Sequence, residues 1–548
     1  MNIMKMNNKN NSIRPHRALV LQGGGSLGAY EAGVFKALYH WIKKDIPDDQ
    51  NMFDIVAGTS IGAINAAFLV SYVKENKTWE GSAEGLEEFW KSRLGSTVNL
   101  NKWWPFSWDE KCWTLGWDTL YRPNNSIATA EAARRYYSAK EFIISGAPNV
   151  FSPNLTPTID SRFFDNFIVP NIWYRYDNSR LRRSLNEAIR FPIGTSLKAK
   201  EPRLLVISVD VKEGETVTFD SYDKDKGTNT RRSEYGDFRP GTDTYEHIIK
   251  YDEGIMVEHI LASASVPEHY DYTLVPKEYD YTKTEEEKLA DIQNYNLENY
   301  SRFWDGGVLS NTPLRELITS HQDYWKSVEP TRETDDDSNI PDLEVYIIDV
   351  WPSVDKYNTV PSDLDGIRDR KNDLTYQDMT PYDVKVATLV SDYHNLTKEL
   401  RDLARKFKIP ETEIDIILDK DGKSVHGNGE PRKYRSLLKD RFDMTKVVRI
   451  ERSADDNDIA NKWCDFSLGT VLNLFEQGML DALKACAKEV MISKAMQDKS
   501  KHIENSSQDI QDAARTQLDL FITNVKNQGT NGDLIQAAES VKAMLPRL

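Results

Sequence analysis

Residues 53–70 read FDIVAGTSIGAINAAFLV, a short apolar run followed by Gly58-Thr59-Ser60-Ile61-Gly62 and then by an alanine-rich stretch. The apolar run predicts a buried strand, and the alanine-rich stretch predicts a helix. The G-x-S-x-G pattern between them is typical of a sharp strand-to-helix turn that presents a serine hydroxyl. Glycine at positions 58 and 62 avoids Cβ clashes in such a crowded turn. This stretch therefore predicts a nucleophile at Ser60.

The same order of strand, turn and helix occurs upstream. RALVLQ at 17–22 precedes Gly23-Gly24-Gly25-Ser26-Leu27-Gly28, and an amphipathic stretch follows. Two such units in the first 73 residues favour an α/β fold with a mainly parallel sheet sandwiched between helices.

The glycine run at 23–28 has two interpretations. Its G-x-G-x-x-G pattern also occurs in dinucleotide-binding turns, but those require an acidic residue at the end of the next strand. Here that strand ends in Ala57-Gly58, which disfavours a dinucleotide. The run is therefore interpreted as an oxyanion loop, in which the backbone N–H groups of Gly24 and Gly25 face a developing negative charge.

A serine hydroxyl needs a base, and Asp305-Gly306-Gly307 is the strongest candidate. In isolation, Asp-Gly-Gly is more typical of a surface turn. However, Asp305 follows the aromatic pair Phe303-Trp304, and an apolar setting would raise the pKa of its carboxyl towards the working pH. The sequence therefore predicts Asp305 as the general base.

Four segments together resemble the patatin-like phospholipase family, and they occur in that family's order. They are GGGSLGAYEAGV at 23–34, GTSIGAINAA at 58–67, ILASASVPEHY at 260–270 and DGGVLSNTPL at 305–314. Each motif is modest alone, but their joint occurrence is specific. The resemblance covers about residues 17–352.

The resemblance implies a lipid acyl hydrolase of the phospholipase A type, working through a Ser-Asp dyad without metal or organic cofactor. Ser60 attacks the ester carbonyl, Asp305 accepts its proton, and the glycine-run amides hold the oxyanion. Asp305 then activates the water that hydrolyses the acyl-enzyme. Many family members carry arginine directly after the glycine run, where this chain has Ser26.

Two alternatives remain open. A conventional α/β-hydrolase triad follows the chain order Ser, Asp, His, so its base would be His321, His394 or His426. Each lies in a polar stretch that predicts a solvated surface histidine. Acyltransferases that pair serine with a preceding histidine are disfavoured by Thr59. The other alternative is a catalytically silent lipid-binding or scaffold protein of the same fold.

The expected organisation has three parts. Residues 1–16 are predicted as a disordered arm and 17–352 as the catalytic domain, with an inserted cap at 77–200. Residues 353–548 are predicted as an α-rich region of uncertain role, whose apolar stripe at Leu468, Leu472, Phe475, Met479 and Leu483 indicates a core face. Trp103, Trp104, Trp108, Trp113 and Trp117 lie within the cap. Packing of these tryptophans inside the protein is favoured over lipid contact.

Composition limits the class of function. The 548 residues are 39% apolar and 28% charged, as in ordinary globular proteins. A net charge of −16 disfavours nucleic acid as a partner and restricts membrane contact to a local, peripheral patch. Three widely spaced cysteines favour a reducing, cytoplasmic compartment. Asp335, Asp336 and Asp337 are interpreted as a solvated loop rather than a calcium site. The expected partner is a lipid substrate.

Overall fold

A computed structural model gives the three-dimensional structure of this chain. It describes residues 14–47, 50–97, 130–154, 175–224, 229–236, 247–283, 287, 297–328, 340–353, 361, 363–425, 431–438, 441–453, 455, 457–500, 507–529 and 531–547. Among the described helices, none carries an apolar stretch long enough to cross a bilayer.

The described residues contain fourteen strands. They are β1 (His16–Leu21), β2 (Ile55–Thr59), β3 (Ser152–Pro153), β4 (Tyr176–Asp177), β5 (Arg203–Asp210), β6 (Glu215–Asp220), β7 (Arg232–Tyr235), β8 (His247–Lys250), β9 (Thr273–Pro276), β10 (Tyr300–Asp305), β11 (Leu343–Asp349), β12 (Asp421–Val425), β13 (Pro431–Lys433) and β14 (Met444–Glu451).

The same residues contain fourteen α-helices. They are α1 (Gly28–Ile42), α2 (Ile61–Asn76), α3 (Ser82–Phe89), α4 (Ala130–Ser145), α5 (Ser179–Ala188), α6 (Val257–Ser263), α7 (Leu314–Val328), α8 (Leu364–Tyr376), α9 (Thr380–Lys406), α10 (Glu411–Leu418), α11 (Tyr434–Leu438), α12 (Leu468–Ser500), α13 (Ser507–Asn527) and α14 (Gly532–Met544).

One eight-stranded sheet organises the described residues, in the order β14-β11-β1-β2-β5-β10-β9, with β6 also paired to β5. The five strands from β14 to β5 run parallel. β10, β9 and β6 pair antiparallel. The predicted α/β fold with a mainly parallel sheet is confirmed, and the antiparallel strands all lie on one side of β2.

Alternate residues of the central strands enter cores on opposite faces of the sheet. On β1, Leu19 and Leu21 join the large core formed with α1, α2 and α12, whereas Ala18 and Val20 join a smaller core with α7. Strands buried on both faces need near-continuous apolar sequence, which RALVLQ supplies. The sheet therefore lies between two helical layers.

The described structure extends the sheet past both ends of the predicted catalytic domain. β1 begins at His16, one residue before the expected start, and residues 1–13 of the predicted arm lie outside the described residues. Beyond residue 352, β14 pairs in parallel with β11 and completes the sheet edge. A boundary at 352 and a cap at 77–200 stay predictions; the α-rich character of the C-terminal part is confirmed.

Helices α1 and α12 meet through glycine. A Cβ at Gly33 would lie 2.2 Å from the Phe475 carbonyl oxygen, and one at Gly478 would lie 2.2 Å from that of Tyr30. The predicted stripe on α12 is buried at Phe475, Met479 and Leu483, but Leu472 is 37% exposed. Val471 and Leu474 are buried on either side of it, so at this turn the buried face of the helix is centred on those residues and Leu472 lies at its edge.

We expect Gly478→Ala to lower the free energy of unfolding by about 2 kcal/mol or more, because the added methyl group must displace the backbone of α1. Urea denaturation of the full chain measures the change. Gly532→Ala is the matched control, since a Cβ there meets no atom within 4 Å. Equal stability of the two variants would contradict the close approach of α1 and α12.

Candidate active site

Ser60 lies at the sharp turn between β2 and α2. Its backbone has φ +56° and ψ −122°, a conformation that non-glycine residues rarely adopt. The neighbouring glycines allow this turn. A Cβ at Gly58 would lie 2.3 Å from the Gly62 carbonyl oxygen, and one at Gly62 would lie 2.5 Å from that of Leu21. The predicted strand-turn-helix context of Ser60 is therefore present.

Ser263 holds the backbone of this turn. Its Oγ accepts a hydrogen bond of 2.9 Å from the Ser60 N–H and donates one of 2.5 Å to the Ile207 carbonyl oxygen on β5. The Ser60 side chain is mostly buried, at 8% exposure of the residue. Ser263 thus links the turn to the adjacent strand β5. Because the Ser60 N–H donates to Ser263, it is not available to a ligand.

The strand order brings Asp305 to Ser60. β5 lies between β2 and β10, and its Ile207 pairs with Thr59 while the next residue, Ser208, pairs with Asp305. Ser60 and Asp305 therefore emerge at the same end of the sheet on either side of β5. A Cβ at Gly306 would lie 2.4 Å from the Ile207 carbonyl oxygen, so this strand end also requires glycine.

The Asp305 carboxyl is buried. Its Oδ1 accepts a 2.7 Å hydrogen bond from the Gly307 N–H. Burial raises the pKa of Asp305 from 3.8 to about 7, against a smaller lowering by hydrogen bonds from the Ser60 side chain and the Gly307 amide. Oδ2 has no partner of ordinary hydrogen-bond geometry, so the Ser60 contact is a loose one. Loose contacts are common between catalytic groups without substrate.

The glycine loop lies beside the nucleophile. A Cβ at Gly23 would lie 3.1 Å from Ser60 Cβ and 2.3 Å from Asn311 Oδ1. The Gly23 carbonyl oxygen accepts hydrogen bonds from Asn311 Nδ2 at 3.1 Å and Trp351 Nε1 at 2.7 Å. In a trans peptide, the N–H of the next residue points opposite to that carbonyl. These two side chains therefore orient the Gly24 N–H.

The described residues supply no hydrogen-bond acceptor for the Gly24 and Gly25 amides. Both N–H groups can therefore donate a hydrogen bond to a ligand oxygen. Gly25 adopts φ +59°, and a Cβ there would lie 2.2 Å from the Trp463 carbonyl oxygen. Gly28 packs against Ile61 at the start of α2, where a Cβ would lie 2.4 Å from its Cγ1. All four glycines of the predicted loop lie at points of close contact.

Ser26, at the position where many similar proteins have arginine, points into the protein. It is fully buried, and its Oγ donates a 2.7 Å hydrogen bond to the Lys462 carbonyl oxygen. The Lys462 ammonium is itself buried among Asp369, Asp373 and Asp458. Ser26 thus links the glycine loop to the C-terminal part of the chain and presents no polar group to a ligand.

Two of the candidate histidines, His321 and His394, lie at the opposite end of the sheet from Ser60. His321 was expected at the surface, but it is fully buried. Its Nε2 donates a 2.8 Å hydrogen bond to the Pro341 carbonyl oxygen, and its ring packs against His16. His16 begins β1, so this cluster occupies the opposite end of the parallel strands from Ser60. Burial lowers the pKa of His321 to about 3. The expectation of a solvated His321 is wrong, because aromatic neighbours enclose it.

His394 is half-buried and contacts Asp443, directly before β14, at 3.1 Å. This contact also lies near the amino ends of the parallel strands. His426 lies outside the described residues, and so do the five cap tryptophans, Cys112 and the three consecutive aspartates at 335–337.

Several residues that shape the site were not singled out from the sequence. Asn311 and Ser263 stand within two of the quoted motifs, so a signal for them existed. The side chain of Gln22 accepts a 2.7 Å hydrogen bond from the Val350 N–H at Oε1 and donates one of 2.8 Å from Nε2 to Thr312 Oγ1. It therefore connects the ends of β1 and β11 to the loop after Asp305. Trp351 carries no local signal, because its role depends on strand pairing.

A comparison with known protein families identifies the family of this chain. A family profile described as patatin-like phospholipase matches residues 19–318. The chain belongs to the patatin-like phospholipase family. Membership in this family of lipid hydrolases supports ester hydrolysis in lipids as the general class of activity.

A search among curated proteins found no significant relative. Among solved structures, VipD from Legionella pneumophila aligns with a TM-score of 0.24 and 12% sequence identity, over 97% of this chain and 89% of the VipD chain.

We expect Asp305→Asn to stabilise the protein at pH 8 by on the order of 2 to 4 kcal/mol. The folded pKa of about 7 exceeds the unfolded value of 3.8, so the folded state loses stability as pH rises between these values. The amide removes that loss, and its advantage should vanish near pH 4. Urea denaturation at several pH values measures both effects.

Asp220→Asn is the matched control for Asp305→Asn. Burial alone would raise the pKa of Asp220, but Arg203, 2.5 Å away, outweighs burial and lowers it. The Asp220 variant should therefore be destabilised at pH 8. Destabilisation of Asp305→Asn by a similar amount would contradict the unpaired, desolvated state of Asp305.

Proposed function

We propose that this protein is a phospholipase A-like lipid acyl hydrolase in which Ser60 is the nucleophile and Asp305 the general base. The observation that carries the proposal is the strand pairing: Thr59, directly before Ser60, and Asp305 pair with adjacent residues of β5. This pairing supports a contact between the Ser60 and Asp305 side chains. The buried carboxyl, with its pKa near neutrality, supports a role as a proton acceptor.

The acylation step follows from these positions. Ser60 Oγ forms a bond to the ester carbonyl carbon while its proton passes to the Asp305 carboxylate. The carbonyl oxygen becomes an oxyanion, which the Gly24 and Gly25 amides stabilise. When the intermediate collapses, the ester C–O bond breaks and Asp305 returns the proton to the leaving alkoxide. The products are the released alcohol and an acyl-Ser60 ester.

Deacylation uses the same groups in reverse. Asp305 accepts a proton from a water molecule, whose oxygen attacks the acyl-Ser60 carbonyl carbon. The Gly24 and Gly25 amides again stabilise the oxyanion. Collapse breaks the bond to Ser60 Oγ, and Asp305 protonates that oxygen. The fatty acid leaves, and no metal or organic cofactor takes part in the proposed cycle.

The alternative to this proposal is a catalytically silent lipid-binding or scaffold protein. We expect a fluorophosphonate probe to label the full chain, and Ser60→Ala to abolish labelling, because only an activated hydroxyl attacks phosphorus. Asp305→Asn should lower ester hydrolysis by about 100- to 10,000-fold. Labelling is measured by intact-protein mass spectrometry.

His394→Ala and His426→Ala serve as controls for the dyad and should retain labelling and turnover. Absence of any adduct on the unmodified chain would favour the scaffold. Loss of activity in either histidine variant, with Ser60 still required, would instead favour a triad.

The pH dependence of hydrolysis provides a further prediction. Since Asp305 acts as a carboxylate and burial raises its pKa to about 7, kcat/KM should increase with pH and reach a plateau above this value. Hydrolysis of a water-soluble p-nitrophenyl ester between about pH 5 and about pH 9 measures the profile. Ser60→Ala gives the background rate. A half-maximal rate near pH 4 would contradict a desolvated base.

A further inference from the structure

Helix α9 exposes an apolar stripe with regular spacing. Tyr382, Leu389, Leu396 and Leu403 recur every seven residues. Met379, directly before the helix, and Val386, Tyr393, Leu400 and Phe407 form a second series with the same period. The two series alternate at spacings of three and four, and all nine side chains are between 40% and 70% exposed. This is the a/d pattern of a coiled coil, with leucine dominating the d positions.

The other face of α9 packs on its own protein. Thr380 and Ser391 are buried, and Ser391 Oγ accepts a 3.1 Å hydrogen bond from the Met444 N–H at the edge of the sheet. His394 contacts Asp443 on the same side. Val384 is the apolar residue that the helix packs against the smaller core, and Thr380, Ser391 and His394 supply the rest of the inward contacts described above. Most of the apolar side chains of the helix therefore face outward, unlike those of an ordinary surface helix.

The exposed area is that of a specific interface. At roughly 100 Å² per half-exposed large side chain, the eight residues from Met379 to Leu403 present roughly 800 Å² of apolar surface. Phe407, which follows the helix, is left out of this area. Specific protein interfaces bury about 800 Å² on each partner. Continuous apolar patches of this size on a protein surface indicate a binding face.

We propose that α9 pairs with α9 of a second copy of this chain in an antiparallel two-stranded coiled coil, with the twofold axis at the level of Ser391. Leu389 then lies opposite the partner's Tyr393, and Val386 lies opposite the partner's Leu396. Each leucine or valine meets a residue of complementary size. Ser391 faces its own sheet, so the two protein bodies lie on opposite sides of the helix pair.

Flanking charges select this alignment. In it, Lys385 faces the partner's Glu399 on both sides of the axis, and the single like-charge contact is between the two copies of Asp392. A shift of one heptad towards the C-terminal ends places Lys385 opposite the partner's Lys406 and Asp392 opposite the partner's Glu399, so both contacts are repulsive. The opposite shift pairs Lys385 with the partner's Asp392, but it leaves Leu400 and Leu403 without a partner on the other helix. In a parallel pair, Lys385 would face the partner's Val390, and no opposite charges would meet.

Sedimentation velocity of the full chain tests the pairing. We expect a species of twice the 62.9 kDa chain mass at about 50 µM protein. Leu396→Asp should weaken association by roughly 100-fold or more, because it buries two unpaired carboxylates per dimer. Leu472→Asp is the matched control, since Leu472 is a solvent-exposed leucine on α12 outside the stripe, and it should leave the dimer intact.

A charge swap tests the orientation. Lys385→Glu and Glu399→Lys should each weaken the dimer by about tenfold, because each creates two like-charge contacts. The double variant should restore association to near that of the unmodified chain. Both residues are exposed, so folding should be unchanged by circular dichroism. Weakening by both single variants without rescue by the double variant would overturn the antiparallel alignment.

Two other results would overturn the proposal. One is a monomeric chain at about 50 µM. The other is a dimer that Leu396→Asp leaves unchanged. If the monomeric chain binds phosphatidylcholine vesicles in a flotation assay and Leu396→Asp abolishes binding, the stripe is a membrane face instead of a dimer interface.

Discussion

The site depends on the burial of one carboxyl group without an opposite charge. Two other buried acids of the described structure have cationic partners, since Asp220 pairs with Arg203 and Asp458 with Arg452. Glu31, which is also buried, has an amide partner in Asn65. At Asp305 only the Ser60 hydroxyl and the Gly307 amide offset desolvation, and no described cation contributes. A cation would lower its pKa and weaken it as a proton acceptor. The stability lost by this arrangement is offset by the large cores on both faces of the sheet.

Sequence patterns predicted the parts of the fold and site that local chemistry determines. The strained turn at Ser60 requires glycine at 58 and 62, and a buried parallel strand requires an apolar run such as RALVLQ, so both leave a readable signal. Trp351 could not be predicted, because its contact with Gly23 exists only after β11 pairs with β1. His321 was misplaced because its polar sequence neighbours concealed the aromatic residues that surround it in space.

Helix α9 illustrates a different limit of sequence reasoning. An apolar stripe usually marks the side of a helix that meets the core. Here the opposite side meets the sheet edge through Ser391 and His394, and the stripe faces outward. Asp378 lies two residues before this helix, and its carboxylate accepts hydrogen bonds from the N–H groups of Asn311 and Thr312. Hydrogen bonds of the residue Asp378 therefore connect the start of the outward-facing helix to the loop at Asn311, which supports the glycine run.

The hydrogen bond between Ser26 and Lys462 spans 436 residues of sequence. A ribosome adds roughly 5–20 residues per second, so the glycine loop waits tens of seconds for the segment that braces it. Until then, a nascent polypeptide can contain Ser60 and Asp305 but lacks the segment around Lys462, which contacts the glycine loop proposed to bind the oxyanion. In the proposed mechanism, lipid cleavage would thus begin only after residue 462 has been synthesised, and shortened chains ending before this segment would remain inert.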